Sequence, residues 1–203
     1  PLTETLAAAL ILASGWKPGL TFVDPFCGLG ILPIEAALMA RRIAPGLKRN
    51  FLFQRFPKFK ESVWRKIHRE AESFIVPSAS GFFAFDRDAG AVDSAMENAK
   101  RAGLHEEILI RNQSLSSLSL PDGRTGHIVT NLLYGKRIGG SSHLGALYPD
   151  FGNLLRRDFR GWTLSILSDG EGLFRQLKLG KLSVPPRNFQ LGGSRVTLRT
   201  FHI

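Results

Sequence analysis

Residues 21–40, TFVDPFCGLGILPIEAALMA, decide the fold. A short apolar run, Phe22 and Val23, ends in Asp24-Pro25 and passes through Cys27-Gly28-Leu29-Gly30. It then opens into Ile31, Ile34, Leu38 and Met39 at helical spacing. The order is strand, tight glycine turn, helix. Pro33 falls in the first turn of that helix, where its missing N–H breaks no hydrogen bond and its fixed φ suits a helix start. Gly28 and Gly30 let backbone come close to a ligand, and the helix N-terminus offers free N–H groups and a partial positive charge to an anion.

Three kinds of glycine loop share this outline. A phosphate loop carries Gly-Lys-Ser/Thr after its first glycine, and no such triplet follows here. A dinucleotide fingerprint carries a third glycine where Pro33 stands, and an acid about 20 residues on, where Arg41 and Arg42 stand. The third ligand is S-adenosylmethionine, whose methionine end bears one ammonium and one carboxylate. Asp24 suits the first and the loop amides the second. From this stretch alone, a plain βα turn in another α/β protein stays open.

At 203 residues and 43% hydrophobic, the chain can bury the core of one α/β domain, and a single domain over residues 1–203 is expected. Because it begins at Pro1 and not at Met, it is expected to be a domain cut from a longer protein. Its single cysteine cannot form an internal disulfide, and no stretch has the length and apolarity of a membrane span or signal peptide, so the cytoplasm is the expected compartment. Five histidines and one cysteine show no metal-ligand spacing, and no metal is expected. The net charge of +10 favours a polyanionic partner over a membrane. Its distribution says more than its total: residues 41–69 hold ten Lys or Arg against one acid, Glu61, and the rest of the chain is nearly neutral.

Residues 1–14 are expected to form a helix capped by Thr3, with Glu4 at the favourable end of the dipole and Gly15 as its stop. The helix after the glycine loop is expected to reach about residue 44, before Pro45-Gly46. Residues 47–72 then interrupt a plain βα succession. There Phe51, Phe53, Phe56, Phe59 and Trp64 alternate with Lys and Arg, a combination that holds phosphates by charge and bases by stacking. Arg49, Arg55, Lys58, Lys60 and Arg65 are the candidate RNA contacts. The competing reading packs the aromatics down onto the domain beneath a solvated basic face.

An apolar strand over 81–85 closes on Asp86-Arg87-Asp88, ahead of a helix over 91–102 ended by Gly103. A carboxylate at a second strand tip can accept from both hydroxyls of a ribose. Asp86 takes that role and Asp88 caps the helix, with an exchange of the two left open. A third strand over 107–111 carries Asn112-Gln113-Ser114 at its tip, where a polar side chain either meets the adenine or forms a polar loop. After a turn at Pro121-Asp122-Gly123, a fourth strand over 127–130 delivers Asn131-Leu132-Leu133-Tyr134-Gly135 to the edge where open parallel sheets bind ligands. A helix over 147–159, a fifth strand over 163–167, a short helix to about 179 and a hairpin around Gly192-Gly193 complete the pattern.

Together PLTETLAAALI, DPFCGLGILPIEAALMARRIAPGLKR, FDRDAGAVDSAMENAKRAG, TNLLYGKRIGG and LYPDFGNLLRRDFRGW, with the final hairpin, resemble the catalytic domain of a known family. These are the THUMP-containing RNA methyltransferases that make N2-methylguanosine in ribosomal RNA or transfer RNA, and the large-subunit ribosomal RNA branch is the nearer. The likeness covers nearly the whole chain and is weakest over 62–80. It implies a Rossmann-like class I methyltransferase fold: a mostly parallel seven-stranded sheet with a C-terminal antiparallel hairpin and helices on both faces. S-adenosylmethionine is implied as cofactor, RNA as partner, and target choice by an RNA-binding domain that this chain lacks.

Residue by residue, the resemblance puts cofactor contacts on Asp24, Pro25, Cys27, Gly28, Gly30 and Asp86, with Ser114 where an acid is expected after the third strand. Its Asn-Pro-Pro-Tyr signature falls on residues 131–134, so Asn131, the Leu132 carbonyl and Tyr134 are implied to hold and align the target amine. Two motifs depart further from the pattern. Gly-Ser-Gly-Thr is Gly28-Leu29-Gly30-Ile31, and both signature prolines are leucines, Leu132 and Leu133. Leucine keeps the carbonyl but loses the fixed φ that aims it and adds N–H donors. A guanine-N2 RNA methyltransferase is the leading expectation. A non-catalytic RNA-binding or assembly module on the same scaffold and an N6-adenine methyltransferase, which uses a similar Asn-x-x-Tyr pocket, are the alternatives.

Overall fold

The computed structural model describes residues 2–78, 80–118, 120, 125–132, 141–168, 171–191 and 193–203. Among these, seven strands make one sheet: β1 (Thr21–Asp24), β2 (Phe82–Asp86), β3 (Ile108–Asn112), β4 (Gly126–Asn131), β5 (Thr163–Ser168), β6 (Arg187–Leu191) and β7 (Ser194–His202). Their spatial order is β3-β2-β1-β4-β5-β7-β6. The first five run parallel, and β7 is antiparallel to both β5 and β6. The chain therefore builds outward from β1 on one side, then crosses back to place β4 on the other. At such a reversal open parallel sheets bind ligands in a crevice, here outside the C-terminal ends of β1 and β4.

The parallel strands read as continuous apolar runs because both faces are covered. Phe22, Phe82, Ala84 and Val129 point to the core shared with α1 (Glu4–Ser14), α2 (Ile31–Ala40) and α4 (Ala89–Ala102). Val23, Phe83, Phe85 and Ile128 point the other way, against α5 (Ser141–Asp158) and α6 (Glu171–Leu177). A buried polar chain fastens the sheet beyond the crevice: His127 Nε2 lies 2.8 Å from Ser165 Oγ, which lies 2.8 Å from Thr200 Oγ1. Burial, with His202 nearby, pushes the His127 pKa down to about 4, so the ring is neutral at pH 7.

The helix caps follow the sequence. Thr3 accepts from the Leu6 N–H, Asp88 Oδ1 accepts from the Ala91 N–H at 3.1 Å, and Gly15 and Gly103 close α1 and α4 at φ 81° and 78°. One boundary differs. The helix after the glycine loop ends at Ala40, not near 44, because Arg42 adopts a left-handed φ of 56° and Arg41 is drawn to other partners. The Arg41 carbonyl accepts from the Val76 N–H, and its guanidinium meets Glu107 at 2.6 Å. A second boundary is early: α5 begins at Ser141, not at 147. The turn expected at 121–123 lies outside the described residues.

The interruption after α2 holds a 3-10 turn, Leu52–Arg55, and a helix, α3 (Glu61–Ser73), neither with a fully buried residue. Four of its five aromatics take neither expected course: Phe51, Phe53, Phe59 and Trp64 pack on one another, with ring centroids 5.3–6.0 Å apart, while Phe56 is exposed. This satellite sits at the N-terminal edge of the sheet. The chain enters it from Arg41, which meets Val76 ahead of β2 and Glu107 ahead of β3, and Lys48 Nζ donates to the Ala102 carbonyl at the end of α4.

Gly30 shows why the loop needs glycine. Its φ is 76°, and a Cβ there would lie 3.0 Å from the Ala95 Cβ of α4. At Gly28, φ is 50° but the space is open. Gly30→Ala is expected to cost about 1–3 kcal/mol in urea unfolding, and Gly28→Ala less, from backbone strain alone. The reverse order would contradict this packing.

Candidate active site

The C-terminal edge of the sheet gathers its polar groups from strands far apart in sequence. Asp24 ends β1 and is only 2% exposed. Its Oδ1 accepts from the Phe26 N–H at 3.1 Å and from Thr130 Oγ1 at 2.6 Å. Burial pushes its pKa up to about 7; those two hydrogen bonds oppose the rise, and the nearby charge of Asp86 adds to it. Near neutral pH the group is poised between its two forms, and a cation placed against it would complete its ionisation.

Asp86 ends β2, is also buried, and organises the loop. Its Oδ2 accepts from the Gly28 N–H at 2.9 Å and its Oδ1 from the Asp88 N–H at 3.0 Å. The Cys27 N–H donates to the Phe85 carbonyl at 2.9 Å, and Asn98 Nδ2 of α4 donates to the Leu29 carbonyl at 2.9 Å. Pro25 is buried in the turn between Asp24 and Cys27. Burial, reinforced by Asp24 and Asp86, pushes the Cys27 thiol far above its ordinary range, so Cys27 is a protonated core residue and no nucleophile. Asp88 is the cap of α4, as expected.

At the tip of β4, the Asn131 side-chain oxygen is buried and meets no hydrogen-bond donor among the described residues. Leu132 follows with a fully buried side chain in the α5 core, and its N–H donates to the Leu167 carbonyl at 2.9 Å. The added donor is thus used by the sheet. Leu133 and Tyr134 lie outside the described residues.

At the tip of β3 the structure shifts attention by one residue. Ser114 is exposed, its hydroxyl 2.8 Å from Ser116 Oγ and 3.1 Å from Ser117 Oγ, and it opens a 3-10 turn, Leu115–Ser117. Gln113 is instead half-buried. Its N–H donates to the Asp86 carbonyl at 3.0 Å, while its side-chain oxygen is buried with no donor among the described residues. Thr130 is the polar group that sequence reasoning passed over, whereas Gln113 is one of the three polar residues expected at this tip. The Thr130 contact spans 106 positions and becomes visible only once β1 and β4 are known to be neighbours.

Arg49, Arg55, Lys58, Lys60 and Arg65 are all exposed, but they belong to the satellite, so they are not brought together with Asp24, Asp86 and Asn131. Arg65 is paired with Glu61 at 2.8 Å. Among the described residues, no group of His, Cys, Asp and Glu is arranged to hold a metal, and no helix is long and apolar enough to cross a membrane.

The family model of the RMKL-like methyltransferase domain matches residues 1–191. SMU.472, described as a candidate methyltransferase and solved with S-adenosylhomocysteine, superposes with a TM-score of 0.91 at 29% identity, over 100% of this chain and 53% of its own. A Listeria monocytogenes protein assigned as an N6-adenine-specific DNA methylase gives 0.85 at 31% identity, over 99% of this chain and 51% of its own. An RNA methyltransferase of Salinibacter ruber, in complex with S-adenosyl-L-homocysteine, shares the fold at a TM-score of 0.53 and 14% identity, over 99% of this chain and 92% of its own. The chain spans about half the length of the first two.

The acid at 24 makes the stability of the ligand-free chain depend on pH. Its folded pKa lies above its unfolded value of 3.8, so its contribution is present in full at low pH and is lost as pH rises to about 7. His127 acts with the opposite sign, losing its contribution as pH falls from 6.5 to about 4. Asp24→Asn isolates the first effect, since the amide still accepts from Phe26 and Thr130 but cannot ionise. In thermal unfolding from about pH 4 to about pH 8, the Asp24→Asn variant should gain on the parent as pH rises. Parallel profiles would contradict the buried, poised carboxyl.

Proposed function

The chain belongs to the RMKL-like methyltransferase domain family, and from that premise we propose that it methylates the exocyclic N2 amine of guanine in RNA. Ribosomal RNA is the first choice of substrate and transfer RNA the second. In this reading the chain is the catalytic part of a longer enzyme, with a separate RNA-binding domain. The observation that carries it is the buried side-chain oxygen of Asn131, without a donor among the described residues, on the same sheet edge as Asp24 and Asp86.

The residues present fit S-adenosylmethionine, which when bound supplies a methyl carbon made electrophilic by the adjoining sulfonium. Asp24 would hold the ammonium, and the loop amides after Pro25, around Cys27, Gly28 and Gly30, the carboxylate. Asp86 has one lone pair on each oxygen engaged by a backbone N–H, which leaves acceptors for the ribose hydroxyls. Gln113 offers an acceptor to the adenine amine, in place of Ser114. A cation on Asp24 favours the ionised acid, so binding at lower pH must expel a proton.

Asn131 would act on the target. An exocyclic base amine is a poor nucleophile because its lone pair is delocalised into the ring. An acceptor that holds one N–H favours a pyramidal nitrogen and frees the pair. The Asn131 oxygen is one such acceptor and the Leu132 carbonyl a second. Leu132 has no ring to fix its φ; its N–H bond to Leu167 anchors the 131–132 peptide, the one that carries Asn131 to the edge. Tyr134 would stack on the base. No residue needs to be a strong base, because alignment supplies much of the acceleration and the proton leaves to water.

The same amide acceptor suits N6 of adenine, and the 31% identity to the Listeria monocytogenes protein favours that as the second reading. Nucleoside analysis after transfer from labelled cofactor should find N2-methylguanosine, and N6-methyladenosine would establish the second reading instead. Asn131→Ala should lower transfer by about 100-fold or more while cofactor affinity is kept. Tight cofactor binding with no transfer to any RNA would overturn the proposal. By calorimetry, cofactor affinity should strengthen as pH rises from about 6 to about 7.5, and Asp24→Asn should weaken binding and flatten the profile. A flat profile in the parent would remove Asp24 from the site.

A further inference from the structure

We propose that the satellite between α2 and β2 is a second RNA contact, remote from the crevice, where an unpaired base stacks on Phe56 while Arg55, Lys58 and Lys60 neutralise phosphates. The inference rests on the RNA reading above and gives it a second point of attachment.

The structure sorts the aromatics of this segment into two classes. Phe51, Phe53, Phe59 and Trp64 pack on one another, with Phe53 still 40% exposed, and Trp64 leans on His68, whose Nε2 lies 2.7 Å from the Leu47 carbonyl. Phe56 stands outside that cluster and is 58% exposed. Its backbone is nonetheless fixed: the Phe56 N–H donates to the Phe53 carbonyl at 3.1 Å, and its carbonyl accepts from the Phe59 N–H at 2.9 Å. Pro57 follows, and Phe56 is held extended at φ −77°, ψ 143°. The ring is presented to solvent on a rigid stem, so little backbone order is lost when something stacks on it.

A lone exposed aromatic is ordinary. The charge around this one is not. Residues 47–60 contain no acid, and Arg55, Lys58 and Lys60 are exposed with no acidic partner among the described residues. Unpaired cations beside an open ring match a single strand, whose bases have free faces, better than a duplex, whose bases do not. The distance fixes the kind of RNA. α2 runs from the glycine loop back to the satellite's edge, and its ten residues alone span about 15 Å. The nucleotide at Phe56 is therefore not the one at Asn131, and only an RNA long enough to reach both edges can use both contacts. Val63 and Ile67 of α3 are exposed as well, so a protein partner is the outcome against which the test must discriminate.

Fluorescence anisotropy of the intact chain with a labelled single strand of about 20 nucleotides, and with the matched duplex, decides the matter. Phe56→Leu, which keeps apolar bulk and removes the ring, should weaken single-strand binding about 5- to 100-fold and leave the duplex nearly unchanged. Phe56→Trp should restore it. The triple variant Arg55→Ala, Lys58→Ala, Lys60→Ala should lower the slope of log affinity against log salt by about 2. Unchanged melting and cofactor calorimetry would show fold and crevice intact. Single-strand affinity indifferent to Phe56→Leu would overturn the proposal, as would a Phe56-dependent self-association in sedimentation with no effect on RNA. If Phe56→Leu has no effect while Asn131→Ala still abolishes transfer, this contact alone fails. If the Phe56 contact holds and no methyl is transferred, the crevice reading fails.

Discussion

A buried carboxylate that no cation among the described residues neutralises is the constraint on which the rest of the structure depends. Asp24 is held at the tip of β1 by the Thr130 hydroxyl and the Phe26 N–H, next to a second buried acid, Asp86. Desolvation by burial is the main reason the Asp24 pKa rises to about 7, and repulsion from Asp86 at the neighbouring strand tip adds to it. Each acid is nonetheless given fixed donors. Asp86 ties the glycine loop to the cap of α4 through Gly28 and Asp88, so the loop's shape and the acid's position are one hydrogen-bonded unit. A perturbed acid at a topological switch point is a feature of a binding site more than of a scaffold.

Much of this was legible in the sequence. The strand–glycine turn–helix order, the acids at the first two strand tips and Asn131 at the fourth all follow from local pattern, because parallel strands bring their C-terminal ends to one edge. What could not be read depends on which strands are neighbours and on single-residue offsets. Thr130 reaches Asp24 only because the chain crosses back to lay β4 beside β1. At the end of β3, the ladder bond from the Gln113 N–H to Asp86 carries that residue inward, while Ser114 turns out into its own serine cluster. The early end of α2 rests on Arg41 finding Val76 and Glu107, partners 35 and 66 positions away.

The leucines of the fourth-strand signature look different once the sheet is known. Leu132 is a core residue whose N–H completes the β4–β5 ladder, so the backbone there is held by sheet geometry where a ring would otherwise hold it. At Leu132 the N–H that leucine adds is thus taken up by the sheet. The charge, in contrast, lies elsewhere: the basic satellite and the polar crevice occupy opposite edges of one sheet, separated by the length of α2. The proposed RNA grip and the proposed chemistry therefore fall at different ends of the domain.

The most direct measurement is a crystal structure of the chain with S-adenosylhomocysteine. It is predicted to place the ammonium within hydrogen-bond distance of Asp24, the ribose on Asp86 and the adenine amine on Gln113, with the sulfur facing Asn131. A crevice filled by the chain's own side chains, or the nucleoside bound away from Asp24 and Asp86, would contradict it.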